Sequence, residues 1–461
     1  VNRTSKILLG LGVVGAVAFG GLKLAEQKAE DILRADFERV RQEMREQEGM
    51  EMAFEDLSVN LLSREILVSG LTFSAEQDDV IADGKIETAY AQGVDLMDIF
   101  QSPEAIDAEV LGMTDMTVLA KGIKSDDDTK KEVRLFFKGL KIIGSNLGEL
   151  NPRFEKMDEL APQEALALMK EIKADSVVMT DFGADVDGQK IHVARAEVSD
   201  IFLATAKKVR LNEISMKENG KSLLKTEALT YEGRDFVEDI ATHAVTQLNG
   251  IYVKLPDADN DPKVAELVEI LGKDHIVMDL NGEYAWDLGT NVLSYKDMSL
   301  DVRDAVKVSL GFTVSDTPSL DQIRELQTLS YTLKPEDDLP PQVMQIVSKL
   351  GLVDFSVRVE DKSLIKAFVE KNAEQSQSDK ETVAMGMGLM AQQISSGFIG
   401  PVQSEKLGKN VVGLLKDGGA LTLNIKAKED AQVKILEAGL MAMIQPQQLL
   451  EILEISSQHQ S

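Results

Sequence analysis

Gly10-Leu11-Gly12-Val13-Val14-Gly15 matches G-x-G-x-x-G, the spacing with which a strand-to-helix turn brings backbone amides against a pyrophosphate. That chemistry also needs a second strand ending in an acid about 20 residues later. The stretch at that distance, Asp31 to Glu38, has a helical pattern, and no alternating strand-helix series follows. The context argues against a dinucleotide site. Ser222-Leu223-Leu224-Lys225 and Ser363-Leu364-Ile365-Lys366 match S-x-x-K, in which a lysine one helical turn away accepts the serine proton. The companion S-D-N and K-T-G elements are absent. Asp257, Asp259 and Asp261 alternate as the first ligands of a calcium loop do, but Pro262 stands where glycine belongs and Val268 where the bidentate glutamate belongs. An acidic linker with Asp261 capping a helix that opens at Pro262 is the better reading. His192, His243, His275 and His459 show no ligand spacing. Nothing selects a catalytic pair among the 78 acidic residues. The residues assign no catalytic, cofactor-binding or metal site and point away from an enzyme.

The elements around these motifs say more. Ile7 to Leu22 is sixteen residues without a charge, flanked by Lys6 and Lys23. Its apolar members Ile7, Leu8, Leu9, Leu11, Val13, Val14, Val17, Phe19 and Leu22 form the expected membrane anchor. As a helix it spans about 24 Å, short of a ~30 Å hydrocarbon core, and the two lysines can snorkel to ease the mismatch. Arg3 and Lys6 before it place the N-terminus in the cytoplasm and the rest beyond the membrane. One alternative is a signal peptide cleaved after Ala16-Val17-Ala18, and another a buried core helix. The anchor is favoured because Leu22, Ala25, Ala29, Ile32 or Leu33, Phe37, Val40 and Met44 continue one apolar helical stripe to about Gln47, where Gly49 stops it.

From Met52 the period changes from 3.6 to 2. Leu57 to Leu61 and Ile66 to Phe73 are strand-like, and short pieces of one kind recur from Gly70, Asp115, Gly139, Glu213, Ala228 and Asp297. Turn signals stand at Ala82-Asp83-Gly84, Ser125 to Thr129, Val186-Asp187-Gly188 and Glu218-Asn219-Gly220. Helices that lead into strands are expected at Pro162, Pro262, Pro341 and Ser404, with a short last helix at Pro446. Met385, Met387 and Met390, followed by Ile394 and Phe398, read as a core-facing helix, with a greasy lid or partner-docking helix as the alternative. The fold class is α+β: a transmembrane helix running into a charged helix, then long antiparallel hairpins with interleaved helices packed on one face. The expected divisions are 1–22 for tip and anchor, 23–48 for the charged helix, 49–335 for a β-rich body and 336–461 for an α+β C-terminal region.

Composition bounds the partners. A net charge of −28 disfavours nucleic acid and anionic lipid surfaces. With no cysteine, disulfides and thiolate metal sites are ruled out. The order basic tip, single span, charged helix, then Phe54-Glu55-Asp56-Leu57-Ser58-Val59 and Ile66 to Phe73 resembles the start of Gram-negative AsmA-like and YdgA-like envelope proteins, over about the first hundred residues. The resemblance implies anchoring in the inner membrane with a β-rich periplasmic body, and in AsmA-like proteins grooves that shield lipid chains. This chain is shorter and has more helices, and no functional residue transfers. The expected function is a non-enzymatic periplasmic envelope protein that binds lipid or an apolar ligand or supports envelope assembly, with the inner membrane and an envelope protein as partners. The alternatives are a scaffold positioning a partner complex at the inner membrane and a hydrolase with an unrecognised acidic site.

Overall fold

The computed structural model describes residues 33–461 apart from 36, 40, 43, 47–48, 61–62, 78–79, 95–107, 125–129, 148–149, 151–161, 203–204, 257–261, 331–339 and 430. The anchor Ile7–Leu22, the acidic loop 257–261 and the Ser125–Thr129 turn lie outside the described residues. Among the described residues no helix is long and apolar enough to cross a membrane. The chain divides into two compact units, 1–232 with 237–240, and 233–236 with 241–461. Both are β-rich, and every strand pairing within them is antiparallel.

In the first unit β1 (Met50–Ala53) and β2 (Asp56–Asn60) both pair with β3 (Glu65–Gln77). A meander follows through β4 (Val80–Gln92), β5 (Val110–Lys124), β6 (Lys130–Ile143), β7 (Ala174–Val186), β8 (Gln189–Phe202), β9 (Thr205–Glu218) and β10 (Lys221–Val237). Alternation of apolar and polar residues gives each strand one dry face and one wet face. The alternation slips once per strand, and the slips coincide. Val68 and Leu71 both face the dry side although three residues apart, and so do Ala89 and Ile86, Met113 and Met116, and Leu140 and Phe137 opposite them. The same step recurs through β7–β10. On alternate strands the residue at the slip has left-handed backbone: Gly70, Asp115, Asp181 and Glu213, with φ of 47–59°. Glycine and aspartate visit that region at least cost. Because every strand carries the extra residue, the pairing register is not shifted there, and the slips form one crease across eight strands.

The dry face of β3–β5 is sealed. The described residues between 33 and 46 are helical, and Leu33 and Phe37 are fully buried with Val68, Leu71 and Ile86. Phe37 meets Phe54 edge-on at 4.5 Å, and the Arg34 guanidinium sits over the same ring at 5.4 Å while bonding Asp56 at 3.2 Å. The charged helix thus uses its apolar stripe to cover the sheet, and Gly49, with φ 64°, ends the connection before β1 as expected. Ala82-Asp83-Gly84 is not a turn. It lies inside β4, where Gly84 leaves room for the Phe73 ring, which a Cβ would overlap. Helix α1 (Pro162–Glu171) runs between β6 and β7 and buries Leu168 completely.

The second unit is a seven-strand meander: β11 (Ile240–Lys254), β12 (His275–Asp287), β13 (Val292–Val302), β14 (Val306–Ser315), β15 (Gly351–Asp361), β16 (Gly419–Ala427) and β17 (Leu453–Gln460). Its helices are α2 (Pro262–Leu271), α3 (Leu320–Ser330), α4 (Pro341–Lys349), α5 (Leu364–Ser376), α6 (Lys380–Asp417), α7 (Ile435–Ile444) and α8 (Pro446–Ile452). Helices that lead into strands are therefore present from Pro162, Pro262, Pro341 and Pro446, the last leading into β17, whereas Ser404 opens no helix and lies within the second arm of α6, which starts just after Gly400 and leads into β16. Helix α6 is a hairpin. A straight helix would set Glu381 and Lys416 about 50 Å apart, yet their side chains form a 2.5 Å ion pair. The chain reverses at Gly400, with φ 75° and ψ 164°, followed by Pro401.

On the wet face the Asp279 carboxylate accepts Nε and Nη2 of Arg303 at 2.9 and 2.8 Å and the Gly250 amide at 2.7 Å. The Arg303 hydrogen bond comes first among the causes holding the Asp279 carboxyl below its usual range. A depressed carboxyl adds stability above the unfolded-state pKa and loses it as pH falls through the folded one. Asp279→Asn is therefore expected to cost about 1–2 kcal/mol at neutral pH. The gap should close at acid pH, as checked by denaturant melts at pH 7 and pH 3. Equal gaps at both would sink this reading.

Candidate functional site

The same pairing that builds the sheets lines up apolar side chains in rows across the strands. In the first unit Phe137, Phe182, Val193 and Ile214 lie opposite one another on β6–β9, and Leu140, Met179, Ala196, Leu211 and Leu229 form the next row to β10. In the second unit Leu280, Leu300, Val308, Val359 and Leu421 form one row over β12–β16, and Met298, Leu310, Val357 and Leu423 another. Charges are kept to the opposite faces, as in the pairs Lys138–Asp181 at 3.5 Å and Arg195–Glu197 at 3.1 Å.

These rows are covered only in part. Over β3–β5 the dry face is sealed, whereas Ile191 on β8 is 48% exposed. In the second unit Val433, Leu449, Leu453 and Ile455 form a core with Leu423 and Ile425 at the β16–β17 end. Leu280, Met298 and Leu300 on β12–β13 are 37–39% exposed. Each unit therefore presents an apolar strip about five strands wide that is partly covered and most open at Ile191 in the first unit and at Leu280, Met298 and Leu300 in the second. At about 4.8 Å per strand such a strip measures about 19 Å across, enough for the ~15 Å acyl chain of one bilayer leaflet.

Tyr284, Tyr295, Phe312 and Phe355 form an aromatic row across the second strip. Tyr284 and Tyr295 lie 5.7 Å apart by ring centroid, and Tyr295 stacks on Phe312 at 4.6 Å. Polar atoms at this end are internally satisfied: Tyr284 donates to the Ala241 carbonyl at 2.9 Å and the Trp286 indole to Thr317 Oγ1 at 2.8 Å. Sequence reading missed this row because the four rings sit on four strands. The signal was one aromatic on the apolar phase of each.

The sequence-level motifs stay apart. Ser222 and Lys225 lie on a strand, where a three-residue step does not bring side chains together as a helical turn does, and Ser363 donates its hydroxyl to the Asp304 carbonyl. His192 bonds Asp181 at 3.4 Å, His275 bonds Asp274 at 3.1 Å, and His459 meets the Gly418 carbonyl at 2.8 Å. His243 is held by Glu283 at 2.9 Å with Asp235 at 3.9 Å, a pairing that orients an imidazole but supplies no nucleophile. Among the described residues no group of three or more His, Cys, Asp or Glu is placed to hold a metal.

A family described as "Uncharacterized protein" matches residues 299–460, about a third of the chain, from within β13 to β17. No curated protein matches the sequence. Among solved structures the chain is similar to LptH from Pseudomonas aeruginosa, the LptA-homologous periplasmic component of a lipopolysaccharide transport device. The identity is 4%, the TM-score 0.16, and the match covers 32% of this chain and 75% of that one. A likeness that low carries no inference about ligand or role.

Proposed function

We propose that the chain is a non-enzymatic envelope protein that holds lipid or another apolar ligand against its open sheet strips. One observation carries this reading: rows of apolar side chains, aligned across about five strands and free of charge, are only partly covered, with Ile191 in the first unit and Leu280, Met298 and Leu300 in the second left more than a third exposed. Covering one Leu-sized side chain at this exposure gains about 1 kcal/mol at ~25 cal/mol per Å². A hydrocarbon chain crossing several rows therefore gains several kcal/mol before its ordering cost. Contiguous apolar surface of this extent on a folded chain marks a binding face. The anchor-like Ile7–Leu22 segment and the AsmA-like and YdgA-like pattern favour an inner-membrane attachment with the body in the periplasm. Charged side chains on the wet faces suit an aqueous compartment.

The test is extraction of bound lipid from chain starting at Leu24. This removes Ile7–Leu22 yet keeps Leu33 and Phe37, which seal β3–β5. Diacyl lipid at about one molecule per chain, or saturable binding of a fluorescent fatty acid after delipidation, is expected. A lipid-free protein that also fails to bind the fatty acid would remove the proposal.

A further inference from the structure

Helix α6 is built inside out for a helix exposed to water. Its two arms, 380–399 and 401–417, pack through small residues. Ala384, Gly388, Ser404 and Gly408 are buried, and a Cβ on Gly388 would lie 2.8 Å from the Gly408 carbonyl oxygen. The large apolar side chains point the other way. Leu389, Met390, Ile394 and Phe398 are 50–69% exposed, and Val402 at the tip is 77% exposed. The expected core-facing helix is therefore corrected. The arms approach closely where Gly388 and Gly408 meet, with Val412 and Gln392 filling the space beside them, so Met385, Met390 and their large neighbours lie outside while Met387 is half-buried.

Three further observations select the occupant. No acidic or basic residue occurs from 382 to 404, although 28% of the chain is charged. The charges return at the base of the hairpin, in Lys380, Glu381 and Lys416, and along the second arm from Glu405 through Lys406 and Lys409. The hydroxyls within the arms are turned inward, since Ser395, Ser396 and Ser404 donate to the carbonyls of Gln392, Gln393 and Gly400. Small residues in the seam, large apolar residues outside and satisfied hydroxyls are the arrangement helices adopt in lipid. A protein interface would instead favour large anchors at the seam and charge or aromatic hot spots outside. We infer that the tip of the α6 hairpin, with the exposed apolar side chains of Ile394, Phe398 and Val402, dips into the interfacial layer of a bilayer, with the charged side chains of the second arm and of the base staying in water. The chain's charge of −28 makes neutral, zwitterionic lipid the surface it fits. The inference does not depend on any ligand on the sheets.

The chain contains no cysteine, so a single introduced one can carry a probe. The full chain is labelled with the polarity-sensitive dye NBD at Val402→Cys or at Lys409→Cys and mixed with phosphatidylcholine vesicles. Flotation alone decides nothing, because Ile7–Leu22 can itself hold the chain on a vesicle. The local signal decides. A blue shift of at least 10 nm and a severalfold brightening are expected at 402, with little change at 409. Adding Ile394→Glu and Phe398→Glu should abolish most of the shift at 402 while helix content by circular dichroism stays unchanged. An unshifted probe at 402 on vesicle-bound chain would overturn the inference. So would equal shifts at both sites, a shift that survives the two glutamates, or a shift that needs anionic lipid. A shift at 402 that rises with protein concentration without vesicles would overturn it too, by marking an interface between copies.

Discussion

Leu300→Glu together with Met298→Glu on β13 is expected to weaken binding of a fluorescent fatty acid to the second unit at least tenfold. Both side chains lie on the open strip, where Leu300 sits in register between Leu280 and Val308 and Met298 opposite Leu310. A carboxylate there must stay hydrated or be covered by hydrocarbon, and either outcome removes more than the 1.4 kcal/mol that corresponds to tenfold in affinity. The fold should tolerate the change, because both positions are already more than a third exposed. A loss of less than about 1 kcal/mol in denaturant melts is expected. Lys296→Glu, exposed on the same strand, serves as the control and should leave binding unchanged. Adding Ile191→Glu should remove the binding contributed by the first unit. If the fatty acid binds the β13 variant as tightly as the parent chain, the strip is not the binding surface.

Phe37→Ala should cost about 3–5 kcal/mol, the range for truncating a buried phenylalanine. Phe37 is 1% exposed, packs edge-on against Phe54 and belongs to the cluster that closes β3–β5. The loss should appear in the unfolding of the first unit. It should also have an opposite effect on ligand: with the cover loosened, Val68, Leu71 and Ile86 come within reach of an apolar probe, so probe binding should rise. A drop below 1 kcal/mol with unchanged probe binding would show that the helical residues are not the cover of this face.

Much of the fold was legible in the residues because it depends on local signals. Proline at the first helical turn marked Pro162, Pro262, Pro341 and Pro446, and all four open helices. Asn219-Gly220 and Asp187-Gly188 marked real hairpin turns, since both pairs adopt left-handed backbone. Gly84 looks like a third turn signal, but its role is to receive the Phe73 ring from the preceding strand, which no local pattern shows. The short pieces beginning at Gly70, Asp115, Glu213 and Asp297 were read as plain strands. Each of these four residues has positive φ, so the recurring motif was the signature of a backbone slip and not of alternation alone. Helix α6 was misread because amphipathic analysis assumes that the large side chains are the buried ones. The order reverses when the partner arm approaches through glycine. The aromatic row and the open strips were out of reach, since register between strands distant in sequence is set by pairing.

The crease has a consequence for how such a chain can change length. Since each of the eight strands β3–β10 carries its extra residue at the same level, deleting one residue from a single strand would reverse half of that strand against both neighbours. Point insertions and deletions inside the strands are therefore barred, whereas gain or loss of a whole hairpin with its own slip leaves every remaining row intact. The width of the apolar strip is thus heritable in steps of two strands, about 10 Å at a time.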